Sequence, residues 1–354
     1  MSVFDLKVTQ EPTVLPVAYE SLYAAGTGDL LHLAGIDEHR RARYLAVNGR
    51  GEVAGAASEL PLIEVTGLSA CGGAIIVSGV TAENRGAVLG LQSAGQLEWS
   101  AEVAGTTQFQ YWPRVVCSGG RAWLFSITGG ASPELCLIEI EGSHLRTPVS
   151  LALADDTDAI DVYGDDAGIL VARVHGGSRF LELMSIDEGR VTALNDVEAI
   201  RPSAPSLQRA EGEIVLAWIS EPGEPRLQWF DNQLKPTAPP QVLSAPLKLG
   251  SIANIRLKAS PRGLLAGFFW SEEVVGDGET VHNDDGTVAQ REPRRNSPLR
   301  VALYDPGSHQ FAAEQLVDLD ARLYAGDWLG EALAVAHRRL DARLSIFAPE
   351  PSPG

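Results

Sequence analysis

One short apolar run returns seven times along this chain, and no other feature limits the fold so strongly. Its copies begin at Leu30, Ala74, Ala122, Gly168, Glu213, Leu264 and Glu331, at intervals of 44, 48, 46, 45, 51 and 67 residues. A polar loop follows each copy, then a second strand-like run such as Tyr44-Leu45-Ala46-Val47 or Leu135-Cys136-Leu137-Ile138. Most of these meet a tight turn, among them Asn48-Gly49, Glu141-Gly142 and Glu188-Gly189. Such pairs supply the positive φ angles that short hairpins require. An outer strand comes next, as in Gln96–Val103, and an inner one precedes the run, as in Val115-Val116. No helical pattern of comparable length competes.

Four antiparallel strands repeated at this period make the blade of a β-propeller. The expected fold is therefore all-β: one seven-bladed propeller over residues 1–348, with an insertion at 271–298 in blade six. Residues 349–354 read as a flexible proline-rich tail. Blade seven then lacks an outer strand, and Phe4-Asp5-Leu6-Lys7-Val8, which alternates apolar and polar, is placed to supply it. A chain of 354 residues exceeds a usual single core, but a ring of repeats escapes that limit because each unit packs only on its neighbours.

Gly95-Gln96-Leu97-Glu98-Trp99 resembles the glycine-to-tryptophan end of a quinoprotein-type repeat. Pro205-Ser206-Leu207 with Val215-Leu216-Ala217-Trp218 resembles blades of bacterial WD-like propellers. The Trp-Asp ending, the kelch glycine pair and the sialidase Asp-box are missing. The resemblance is to the propeller class as a whole. It implies binding at the mouth of a central channel, on the face that carries the blade-to-blade connections.

The chain holds 46 acidic and 28 basic residues, a net charge of −18. A nucleic-acid binder needs a basic footprint to displace counterions, so neither nucleic acid nor an anionic membrane is an expected partner. The first residues lack the basic-then-apolar order of a secretory leader, and no apolar stretch is long enough to span a bilayer. Three cysteines, Cys71, Cys117 and Cys136, show no paired spacing. Together these features predict a cytoplasmic protein with reduced thiols.

Candidate binding residues concentrate on the loop face. Tyr111, Trp112 and Arg114 could stack on and orient a sugar or peptide, although alternation also fits packing between blades. Arg40, Arg41, His175, Arg179, Arg294, Arg295, His337 and Arg338 could form a positive mouth for an anionic ligand or acidic partner. The alternative is scattered surface charge paired locally with Asp37, Glu38 and Asp341. Asp277, Glu279, Asp284 and Asp285 offer oxygen ligands, but their spacing departs from a calcium loop, and no metal or cofactor is expected. No Gly-x-Ser-x-Gly nucleophile turn occurs, and nothing singles out a glycosidase carboxylate pair. The sequence thus points to a non-catalytic binding or scaffolding module that presents its loop face to a protein partner. The alternatives are a hydrolase or lyase acting on a carbohydrate-like or anionic substrate, and a calcium-stabilised lectin-like module.

Overall fold

The computed structural model describes residues 4–104, 109–175, 180–221, 223–243, 251–275, 280–282, 288–290, 294–305 and 310–351. Among the described residues every regular element is a strand, and the strands form seven antiparallel blades.

Blade one runs outward through Tyr19–Thr27, Leu30–Asp37, Ala42–Asn48 and Ser58–Glu59. Blade two follows with Glu64–Cys71, Ala74–Val80, Gly86–Leu91 and Leu97–Glu102. In blade three, Phe109–Ser118, Arg121–Thr128 and Glu134–Glu141 are edged by two short segments, His144–Leu145 and Val149–Ala152. Thr157–Asp165, Gly168–His175, Phe180–Asp187 and Arg190–Glu198 form blade four. Blade five uses Ser203–Ala210, Glu213–Ser220, Glu224–Phe230 and Gln241–Val242. Blade six uses Ser251–Ala259, Leu265–Val275, Leu299–Asp305 and Gln310–Asp318. Each repeated apolar run is thus a second strand, buried on both sides by the neighbouring blades.

The last blade draws on both ends of the chain. Leu323–Leu329, Ala332–Arg338 and Ala342–Pro351 are completed by Phe4–Val8, with Phe4 opposite Pro351 and Val8 opposite Phe347. The expected closure is therefore present, but residues 349–351 are strand, not tail. The Thr9 amide donates to the Ile346 carbonyl at 3.0 Å. By the two-residue period of an antiparallel ladder, the hydrogen-bonded pairs are then Lys7 with Ala348 and Asp5 with Glu350. Pro349 and Pro351 fall between them, where a missing N–H costs the ladder nothing. On the other side the ladder with the second strand begins at Leu333, opposite Phe347.

Among the described residues the core is divided by the blades. Seven apolar clusters each fill one junction between adjacent blades. Leu6, only 2 % exposed, joins the cluster of Phe268, Trp328 and Phe347 between blades six and seven. Side chains on the innermost strands stitch the ring from inside. Asp161 accepts the Leu207 amide (2.8 Å), Ser206 the Leu257 amide (2.9 Å) and Asp327 the Gly26 amide (3.2 Å). Blades one and seven approach closely at Gly26, where a Cβ would stand 2.0 Å from the Trp328 carbonyl oxygen.

The thiol expectation is corrected. Cys71 and Cys117 form a disulfide, and Cys136 is the free cysteine. The two partners are 46 residues apart, about one blade. They therefore occupy equivalent places at the ends of neighbouring innermost strands, with Cα atoms 5.3 Å apart, within disulfide reach. The cytoplasmic expectation loses the support it drew from reduced thiols.

Candidate functional site

The blade-six insertion begins as a continuation of the blade. Glu273–Val275 pair with Arg294–Asn296, and a small hairpin joins Thr280–His282 to Val288–Gln290. Asp277, Glu279, Asp284 and Asp285 lie outside the described residues, as does Arg179. Arg294 and Arg295 stand opposite Val275 and Val274 in the backbone ladder.

The remaining predicted cations are paired locally. Arg40 sits 3.6 Å from Glu20, and Arg41 is 3.4 Å from Asp37. Asp37 is buried, which opposes ionisation. Hydrogen bonds from the Arg41 amide, the Arg43 side chain and the His39 amide outweigh that and hold its carboxyl below the ordinary range. Arg338 donates to the Tyr19 carbonyl at 2.6 Å and lies 3.9 Å from Glu38. His337 is a core histidine, with Nδ1 3.0 Å from Asp318 and Nε2 3.1 Å from Ser345. Burial pushes its imidazole below the usual range. These residues share the loop face, but the structure does not gather them into one cationic mouth.

The Tyr111, Trp112 and Arg114 group divides. Tyr111 packs into the cluster between blades three and four, and its hydroxyl donates to the Thr157 carbonyl at 3.1 Å. Trp112 tilts against Phe109, with ring centroids 6.2 Å apart. A register shift between Tyr111 and Arg114 breaks the simple alternation, and it leaves Arg114 lining the central channel.

That channel, about 740 Å³, is bounded by the innermost strand of every blade. Arg114, Arg256, Lys258 and Arg322 line it against Glu20, Asp161 and Asp327. Arg256 lies 3.6 Å from Asp161, and Lys258 lies 3.2 Å from Asp327. Arg114 and Arg322 have no carboxylate partner among the described residues. The bore of a strongly acidic protein is thus locally cationic. Burial pushes the phenols of Tyr163 and Tyr324 up to about 12, so both remain neutral donors at neutral pH. Asn254 Oδ1 and Tyr324 Oη are enclosed in the bore without a hydrogen-bond partner among the described residues. Sequence reasoning missed Asn254, Arg256, Arg322 and Tyr324. Only the register of the innermost strands shows which of their residues face inward.

No family model matches the chain, and no curated protein matches it either. Solved structures do. The WD40 domain of Toxoplasma gondii coronin superposes with a TM-score of 0.63 at 11 % identity, covering 100 % of this chain and 88 % of that one. Kuenenia stuttgartiensis hydrazine synthase gives 0.61 at 12 % identity, with 93 % and 96 % coverage. The BBS1 N-terminal domain, solved in complex with ARL6, gives 0.57 at 14 % identity, with 98 % and 97 % coverage. The chain is a seven-bladed β-propeller. At these identities the likeness is one of fold, and a fold shared by such different proteins leaves function to be argued from the surface.

Proposed function

We propose that this propeller is a binding module that seats a protein partner on its loop face. The observation that carries the reading is the distribution of exposed large apolar side chains. On the loop face stand Val14, Ile63, Phe180 and Ile200, with Val242, Leu319 and Leu340. At the opposite face stand Val53, Leu97, Val149 and Val191, and Val8, Leu194 and Leu316 lie along outer strands. Single exposed apolar residues are ordinary, but neighbouring ones are not. Leu340 is 78 % exposed and Leu319 59 %. The loops that carry them are tied together by the Arg339–Asp320 ion pair at 3.5 Å and by the Arg322 amide on the Arg338 carbonyl at 2.8 Å. An apolar pair rimmed by charged residues is the usual anatomy of a small interface centre. The BBS1 domain, a propeller solved with a protein partner, lends support by analogy of fold.

The test is the affinity of a purified partner, identified by crosslinking, for three forms of the protein. Leu319→Asp/Leu340→Asp should weaken binding at least about tenfold. Leu97→Asp, on the opposite face, should not. Equal affinities for the two variants would remove the assignment of this face.

The channel favours a second reading. Two cations without carboxylate partners among the described residues, with the enclosed Tyr324 hydroxyl as a donor, suit a small anionic ligand. A melting-temperature rise with such an anion, lost in Arg114→Ala, would support it.

A further inference from the structure

Blade four carries a polar cluster that the binding reading does not use. The strand register sets Arg173 opposite Glu182, and Glu182 opposite Asp196, so one rung of the sheet reads Arg–Glu–Asp. His175 lies two residues beyond Arg173 and projects to the same side. Asp155 reaches in from the connection between blades three and four. Arg173, 1 % exposed, donates to Glu182 Oε1 at 2.6 Å and to Asp155 Oδ1 at 3.3 Å. Nδ1 of His175 is 3.0 Å from Asp155 Oδ1. Its Nε2 is enclosed, has no hydrogen-bond partner among the described residues, and faces Glu182 Oε2 at 3.6 Å.

Two features of this arrangement call for a cation. Three carboxylates share one guanidinium and one imidazole; Asp155 and Asp196 reach solvent, but Glu182 is largely withdrawn from it, where a cation beside it lowers the cost of the surplus negative charge. With Asp155 holding Nδ1–H, the Nε2 lone pair points at a carboxylate oxygen, so two acceptors confront each other. A divalent ion between them corrects both. One ligating atom from each of His175, Glu182 and Asp196 lies within 4.8 Å of the others. Tetrahedral zinc, at about 2.1 Å from nitrogen and from oxygen, spaces its ligands about 3.4 Å apart. The Nε2–Oε2 separation already fits, and the exposed Asp196 side chain closes the remainder by a change of rotamer.

We infer that blade four holds a zinc ion through His175 Nε2, Glu182 Oε2 and the Asp196 carboxylate. Asp155 fixes the tautomer of His175, and Arg173 orients Glu182, the outer hydrogen bonds that metal sites usually carry. Imidazole with carboxylates suits zinc; calcium and magnesium prefer oxygen alone. The fourth position opens toward solvent beside Asp196. The competing arrangement is a second proton on His175, which would bridge Asp155 and Glu182 without any metal.

Titration of the chelator-treated full-length protein separates the two. Zinc should bind with one equivalent at micromolar or tighter dissociation constant, and cobalt should give the visible absorption bands of a four-coordinate site. His175→Ala and Asp196→Asn should each weaken zinc binding at least about tenfold, whereas His144→Ala, an exposed histidine on blade three, should not. Asp196 is exposed, so Asp196→Asn reads the ligand role without threatening the fold. The absence of a zinc isotherm and of cobalt bands would overturn the inference, and so would undiminished binding in Asp196→Asn.

Discussion

Leu6→Ala tests the closure of the ring by the N-terminal strand. Leu6 is 2 % exposed and belongs to the same cluster as Phe268, Leu299, Trp328, Leu333 and Phe347. Truncating a buried leucine to alanine costs about 2–5 kcal/mol, the loss of transfer energy plus the cavity left behind. Taking about 3 kcal/mol, with about 2.1 cal/mol/K of unfolding entropy per residue over the chain, the melting temperature falls by about 4 °C if the ring unfolds as one unit. Leu97→Ala makes the same truncation at a half-exposed outer-strand position and should shift it by much less. Differential scanning calorimetry reads both. Deleting residues 1–9 removes the whole strand and should cost more. It should also speed amide exchange at Ala348 and Glu350, which face Phe4–Val8. A Leu6→Ala protein that melts within about 1 °C of the parent would refute the reasoning.

Two further perturbations follow from the same structure. Closing a loop of 46 residues is worth at most about 4 kcal/mol in the chain-entropy account, so Cys71→Ser should lower the unfolding midpoint. Alkylation of the oxidised, denatured protein should label Cys136 alone, and labelling of all three thiols would contradict the disulfide. His32 is fully buried, with Nδ1 2.6 Å from the Tyr44 hydroxyl and Nε2 2.6 Å from Thr27. Tyr44 donates onward to the Ser93 carbonyl, so the imidazole is neutral with its proton on Nδ1. Burial lowers its pKa from 6.5 to about 4, so the unfolded chain takes up this proton first. The stability it contributes is full above pH 6.5 and drains as the pH falls toward 4. His32→Asn should flatten that part of the stability profile, and an unchanged slope in denaturant titrations would contradict the assignment.

The propeller was legible because its signal is redundant. Each second strand is buried on both sides, so every copy had to be apolar, and seven copies reported one architecture. The alternation of Phe4–Val8 likewise showed its fitness as an outer strand. The tail was misread because proline usually ends a strand, and only the ladder parity shows that Pro349 and Pro351 need no donors. The disulfide was missed for a related reason. Cysteine spacing was weighed against compact motifs, whereas in a ring the informative distance is the repeat period itself.

Site residues were harder to read. Pairing with Asp37 was open to the sequence because Asp37 lies next to Arg40 and Arg41, whereas Asp318 beside His337 and Asp320 beside Arg339 come together only in the fold. The channel and the blade-four cluster depend on register across strands far apart in the chain. Arg173, Glu182 and Asp196 are ordinary charged residues until the sheet sets them on one rung.

The central claim is that the loop face binds the partner. Hydrogen exchange of the protein alone and with its partner tests it most directly. Protection is predicted in residues 60–64, 199–203, 319–323 and 338–342, with none in the turns at 49–53, 92–97 and 188–191. Protection confined to those opposite turns would contradict the account.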